Sequence, residues 1–260
     1  MSMVCLASAH GSPGVTTTAV ALAATWPPHR RCLLIEADPF GGVIAARYGL
    51  GDTPGLSSLA AEARRGLDDE AVWRHAQHLP GGVPVLVGPA TAEEARAVLR
   101  DLGGALSAWS TGRGEIDVII DCGRITAGSP VIDLVGAAGP TMVLVRPTLD
   151  QLRPAVHRLE ALAASGVGAA LLLVGDEPYG AAEVAAALQT RVEGGIAWDP
   201  RSAAVLTGAH GAVRDLRRSP LVRSIATLAE RLAPPRSEPA THATLAPVVQ
   251  VSDQPQEARS

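Results

Sequence analysis

An apolar run, Met3–Ala9, leads directly into His10-Gly11-Ser12-Pro13-Gly14-Val15-Thr16-Thr17-Thr18, and a helical pattern over Thr16–Thr25 follows. A buried strand that turns through glycines straight into a helix is the opening unit of a parallel α/β sheet. Glycines in such a turn let backbone N–H groups point at an anion, backed by the N-terminus of the following helix. Gly11 and Gly14 suit that use, and the spacing is that of a phosphate-binding loop. Such a loop ordinarily ends Gly-Lys-Ser/Thr, and its lysine brings an ammonium to the β/γ-phosphates. Here the order is Gly14-Val15-Thr16, and no other lysine can step in, because every one of the 22 Lys and Arg residues is arginine. The stretch also reads as a tight strand-to-helix turn capped by threonine.

Apolar residues make up 47% of the chain but aromatics only 3%, so the core is built from Ala, Val, Leu and Ile. That suits buried parallel strands covered by helices. A net charge of −4 supplies no global attraction to nucleic acid or an anionic membrane. Compositional bias toward Ala, Gly, Pro and Arg accounts for missing lysines in general, yet it supplies arginine rather than valine. Cys5, Cys32 and Cys122 are widely spaced and odd in number, which predicts small buried thiols in a reducing compartment. No apolar run reaches about 18 residues, and no basic region precedes the first apolar run. The expectation is a cytoplasmic protein.

Strands are predicted over Met3–Ala9, Arg31–Glu36, Pro84–Val87, Ile116–Asp121, Thr141–Arg146, Ala169–Val174 and Gly195–Trp198. Helices alternate with them: Thr16–Thr25, one within 41–66, Ala92–Trp109, about Asp150–Ala164, Ala181–Gln189 and Leu216–Leu232. From Pro234 onward Pro, Ser, Thr, Ala and Gln prevail without periodicity. The prediction is one α/β domain over 1–233 and a disordered tail over 234–260.

Ligands of open α/β sheets bind beyond the carboxyl ends of the strands. Residues 10–18, Asp38 and Asp121 all fall at such ends. Gly11, Ser12, Gly14, Val15, Thr16 and Thr17 are the candidate phosphate contacts. Thr16 supplies a hydroxyl where a Mg²⁺ ligand belongs, and Asp121 is a candidate water-mediated ligand of the same ion. Asp38 can orient an attacking water, or equally make an Asx-turn before Pro39. Losing a charged hydrogen bond to phosphate costs roughly 1.5–3 kcal/mol, and charge developing in a transition state suffers more.

Together these residues resemble the ParA/MinD family of deviant P-loop ATPases, which includes TadZ-type pilus proteins. The family loop reads Lys-Gly-Gly-x-Gly-Lys-Thr-Thr; here it is His10-Gly11-Ser12-Pro13-Gly14-Val15-Thr16-Thr17. Both family lysines are replaced: the one that reaches across a dimer by His10, the loop lysine by Val15. The family's Asp-x-Asp-Pro is Glu36-Ala37-Asp38-Pro39, which keeps the acid that serves hydrolysis. The strand ending Ile120-Asp121-Cys122-Gly123 keeps the Asp but loses a Pro. Pro54-Gly55-Leu56, Pro84–Val87 and Ala197-Trp198-Asp199-Pro200-Arg201 follow the family order, while the Asn-Arg that meets adenine is replaced by Gly175-Asp176.

The resemblance covers roughly residues 3–233. It implies a three-layer, mostly parallel P-loop NTPase (SIMIBI/MinD-like) fold, a homodimer, and weakened binding of ATP and Mg²⁺. Three functions follow from it: a weakly binding or non-hydrolysing positioning scaffold, TadZ-like in pilus or secretion assembly; an active ATPase of chromosome partitioning or septum-site placement; or an interaction domain independent of nucleotide. His10, Arg124 and Arg146 are possible substitutes for the missing charge, or plain polar and salt-bridging residues. Arg214, Arg217, Arg218 and Arg223 form a basic cluster that suits nonspecific DNA contact or a solvated helix face. The tail lacks a basic amphipathic helix, so no direct membrane anchor is expected. His75 and His78 are three apart on a predicted helix, but no third metal ligand stands near them.

Overall fold

The computed structural model describes residues 3–11, 13–64, 66–111, 116–126, 128–136, 139–208 and 216–233. Ser12, Arg214 and the predicted tail over 234–260 lie outside them. Among the described residues the strands form one eight-stranded sheet in the order β3-β4-β2-β5-β1-β6-β7-β8. They are β1 (Met3–Ser8), β2 (Arg31–Glu36), β3 (Gln77–His78), β4 (Pro84–Leu86), β5 (Ile116–Arg124), β6 (Thr141–Val145), β7 (Ala169–Val174) and β8 (Val192–Ile196). All neighbours pair in parallel except β3 and β4. The sheet order reverses around β1, which places the loop after it at a switch point where a crevice opens.

Helices cover both faces. Helices α3 (Leu56–Ala63), α4 (Asp69–His75), α5 (Ala92–Thr111), α6 (Ile132–Gly136), α7 (Leu149–Ala164) and α8 (Ala181–Leu188) pack on one side. Helices α1 (Val15–Ala24), α2 (Ile44–Tyr48), α9 (Pro200–Leu206) and α10 (Pro220–Leu232) pack on the other. The period-2 alternation of the strands divides the core accordingly. Met3, Cys5 and Ala7 enter the first layer, Val4 and Leu6 the second.

The same alternation acts on β5. Ile116, Val118, Ile120 and Cys122 face the α3–α8 side, which leaves Asp117, Ile119 and Asp121 on the α1 side. Asp117, fully buried, lies under the end of α1. It accepts from the Trp26 indole N–H at 2.9 Å and from the Arg30 guanidinium at 2.5 and 2.7 Å. A buried carboxylate persists only when paired and hydrogen-bonded in this way. It clamps the α1–β2 turn to the middle of the sheet.

Several elements differ from the sequence expectation. The last strand is Val192–Ile196 rather than Gly195–Trp198, because pairing with β7 overrides the low strand preference of Glu193-Gly194-Gly195. β3 is two residues paired antiparallel to β4, with the Gln77 side chain donating to the carbonyls of Gly51 and Pro54. It separates His78 from His75, the last residue of α4, so the two imidazoles share no helix face. The predicted C-terminal helix is divided. A 3-10 turn over Leu216–Arg218 precedes Ser219, whose hydroxyl caps α10 by accepting from the Val222 N–H at 3.2 Å, with Pro220 in the first turn. Helices α4, α6 and α9 are one to two turns long, too short for their periodicity to be read from sequence. Cys5 and Cys122, distant in sequence, meet as free thiols inside the core.

Asp117→Ala removes three hydrogen bonds and strands a guanidinium. We expect a loss of about 3 kcal/mol or more, read as a lower urea midpoint with an unchanged slope. A variant as stable as the parent overturns the assignment.

Candidate functional site

The turn after β1 has the backbone of an anion cradle. Gly11 and Gly14 adopt left-handed conformations, with φ of 66° and 96°. Such φ values are strained for residues bearing a Cβ. Gly14 is the N-cap of α1, and no side chain caps that helix, so its first N–H groups keep their donors for another partner. The loop forms one wall of a cavity of about 320 Å³. Gly11, Gly14, Val15, Thr16 and Thr17 line it from the loop, and Asp38, Phe40, Arg47, Gly123 and Arg124 line it from β5 and the segment that follows β2.

Val15, where a lysine would stand, borders the cavity but is only 6% exposed and belongs to the apolar layer beneath α1. His10 is exposed and is not among the lining residues; the charge it acts on is Asp150. The loop wall therefore presents amides and hydroxyls without a cationic side chain.

Three acids gather behind the cavity. Glu36, at the end of β2, is 1% exposed, and burial pushes its carboxyl up. Three amides offset that: Oε1 accepts from the N–H groups of Val43 (2.6 Å) and Ile44 (2.9 Å), and Oε2 from that of Gly88 (2.9 Å). Asp38 is half-buried and raised by burial, against the pull of the Phe40 N–H (2.8 Å) and of Arg124. Its carboxylate lies over Gly123, where φ is 55° and an added Cβ would stand 1.9–2.3 Å from the carboxylate atoms.

Asp121 is fully buried, and desolvation pushes it up to about 7, with Glu36 and Asp38 adding to the rise and the Thr16 hydroxyl and Gly123 N–H opposing it. Its Oδ1 accepts from Gly123 N–H at 3.0 Å; its Oδ2 has no hydrogen-bond partner. A hydroxyl facing an orphaned carboxylate oxygen beside an anion cradle is the donor set of a Mg²⁺ site completed by phosphate. No group of three or more His, Cys, Asp or Glu suited to a metal occurs among the described residues.

Four features of the site were not singled out from sequence. Glu36 is a hub rather than a spare acid. Phe40 holds two guanidinium groups, Arg124 at 4.3 Å and Arg96 at 5.0 Å from the ring centroid. Arg47 of α2 lines the phosphate-side cavity. A larger cavity, of about 580 Å³, lies at the ends of β7 and β8, walled by Arg146, Asp176, Glu177, Trp198 and Ser224. A third, of about 210 Å³, joins the other two through Gly14 and Thr17 at one end and Val174 and Trp198 at the other. The indole of Trp198 carries the Arg146 guanidinium 4.3 Å above it. Among the described residues, Phe40, Val43, Leu149 and Trp198 are the large apolar residues left exposed, and all follow strand carboxyl ends.

A Ser–His–acid line also occurs: His75 Nδ1 is 2.7 Å from Ser58 Oγ, and Nε2 is 2.8 Å from Glu62 Oε2. Ser58 already bonds both backbone groups of Gly55 as a helix cap, and the trio lines none of the three cavities, so it joins α3 to α4. Arg217, Arg218 and Arg223 are exposed near the start of α10. Among the described residues no helix is long and apolar enough to cross a membrane.

No protein-family model matches the chain, and none of the curated proteins does. Solved structures do resemble it. A ParA family ATPase from Chlorobium tepidum is 17% identical, with a TM-score of 0.70 over 88% of this chain and 98% of that one. The cell division ATPase MinD of Pyrococcus furiosus is 18% identical, with a TM-score of 0.70 over 89% and 98%. The septum site-determining protein MinD of Pyrococcus horikoshii, solved with Mg-ADP, is 16% identical, with a TM-score of 0.70 over 89% and 95%. At these identities the likeness establishes the fold: an α/β, mostly parallel, MinD-like P-loop architecture.

Two outcomes follow. Asp121 in the folded chain keeps a proton up to about pH 7, whereas an unfolded Asp releases it near about pH 4. The folded state then binds more protons across that window, so Asp121 makes stability fall as pH rises through it. Asp121→Asn removes this component, on the order of 4 kcal/mol at most. Urea midpoints of parent and variant should agree near pH 4 and separate in the variant's favour by pH 8. Gly123→Ala should cost about 1–3 kcal/mol by displacing Asp38, and much less in an Asp38→Ala background. Equal costs in the two backgrounds contradict the contact.

Proposed function

We propose that the chain is a cytoplasmic positioning or regulatory protein that binds a nucleotide at the carboxyl edge of its sheet and turns it over slowly or not at all, as a TadZ-like member of the ParA/MinD family would. The observation carrying this reading is an open amide cradle at the N-terminus of α1 with a buried valine at the lysine position. Amides and a helix terminus bind phosphate without a lysine. The missing ammonium costs about one to two decades of affinity and more in the transition state.

The joined cavities give such a ligand its course. The phosphates lie against Gly11, Gly14, Thr16 and Thr17, with Ser12 in the same loop, and the base lies toward Trp198. Thr16 and Asp121 would hold Mg²⁺, which would supply positive charge to the phosphates and to Asp121. Binding of Mg-ADP by the Pyrococcus horikoshii MinD supports this cofactor pair. The exposed Phe40, Val43, Leu149 and Trp198 all follow strand carboxyl ends and favour a homodimer through this edge. Residues 1–233 form the domain, with 234–260 as a separate tail. Arg217, Arg218 and Arg223, with Arg214, suit nonspecific contact with DNA phosphates.

Retention of Asp38 and Asp121 favours a second reading, an active ATPase in chromosome partitioning or septum-site placement. In that case Asp38 orients the attacking water, and Asp38→Ala abolishes a turnover that DNA or a partner stimulates.

Calorimetric titration with Mg·ATP and phosphate-release kinetics separate the readings. The first expects binding with little release; brisk unaided turnover overturns it. Val15→Lys should tighten ATP binding by roughly tenfold, one charged hydrogen bond. Its stem can stay in the apolar layer while the ammonium reaches the cavity that Val15 borders.

A further inference from the structure

We propose that Arg124 and Arg47 clamp the terminal phosphate of the bound nucleotide, bringing from β5 and α2 the positive charge that the loop lacks; this rests on the nucleotide reading above. Both residues line the same cavity as the amide cradle and come from outside the loop. Arg124 acts electrostatically on Asp38, and neither arginine makes a salt bridge to a carboxylate among the described residues.

Arg124 is held rather than loose. Asp38 accepts the Phe40 N–H at 2.8 Å, the Phe40 ring lies 4.3 Å from the Arg124 guanidinium, and Gly123 lacks the Cβ that would push Asp38 away. Arg96 of α5 stacks on the same ring at 5.0 Å. A guanidinium fixed against an aromatic ring loses less freedom when it engages a ligand, and its planar fork matches two phosphate oxygens. Phe40 is thus a positioning residue and Arg124 a binding one.

The course of the cavities says which phosphate the arginines meet. From Trp198 the connecting cavity reaches the loop at Gly14 and Thr17, whereas Arg47 and Arg124 line the loop cavity and not the connecting one. A nucleotide with its base toward Trp198 therefore presents its last phosphate there. A triphosphate reaches the clamp; a diphosphate stops short of it. The two arginines make the site selective for the triphosphate.

The test is calorimetry on the full chain with Mg·ATP and Mg·ADP, for the parent, Arg124→Gln, Arg47→Gln, Arg124→Lys and, as a surface control, Arg100→Gln, with thermal unfolding to verify each fold. The parent should prefer ATP. Each glutamine variant should weaken ATP roughly 10- to 100-fold while ADP changes little. Arg124→Lys should recover part of the loss, and Arg100→Gln should match the parent. ATP and ADP weakened equally, or neither weakened, overturns the clamp. A parent that binds ATP and ADP with equal affinity also overturns it. A parent that binds neither overturns the nucleotide reading itself, and the clamp with it.

Discussion

A buried carboxylate with three amide donors organises the ligand edge of this sheet. Glu36 ties the end of β2 to the segment that starts α2 and to the end of β4. Its neighbours are shaped around it: a Cβ at Gly42 would come within 2.6 Å of Glu36 Oε2, and one at Gly88 within 2.6 Å of its carbonyl. A charge this far from water costs several kcal/mol unless its lone pairs are filled. The three amides fill them, and in doing so fix the path of residues 37–44. Asp38, Phe40 and Arg47 take their places from that path.

Two aspartates on one strand show how environment assigns a role. Asp117 and Asp121 are both fully buried on the α1 side of β5. Asp117 meets a guanidinium and an indole N–H, is satisfied, and is structural. Asp121 meets a hydroxyl, one amide and two other acids, and one of its oxygens has no donor. An unsatisfied carboxylate at the mouth of a sheet stores a demand for a cation. The cradle beside it stores a demand for an anion. A magnesium–phosphate pair meets both at once, which is the physical basis of the proposed ligand.

The absence of lysine then changes where positive charge comes from, not whether the site needs it. In the loop, charge would arise within one turn of helix. Here the cationic groups at the cavity are guanidinium groups from β5 and α2, one steadied by an aromatic ring. Such groups suit recognition of a resident phosphate. They are less suited to following charge as it moves onto a leaving oxygen, because they are anchored on elements outside the loop.

The strand, glycine turn and helix at the start of the chain were legible in its sequence, as were the valine in the loop and the placing of Asp38 and Asp121 at strand ends. All of these depend on patterns contained within about ten neighbouring residues, where backbone φ and side-chain alternation act locally. The order of the strands, the two-residue β3, the separation of His75 from His78 and the extent of β8 depend on pairing between distant segments. Local periodicity does not carry that information. The same holds for the site. That residue 15 is not a lysine is written in the chain, but that Arg47, Arg124 and Phe40 converge on the cavity it borders is decided by packing. Those residues come from α2, the loop before it and the distant strand β5, and only burial of the sheet's two faces brings them to one edge.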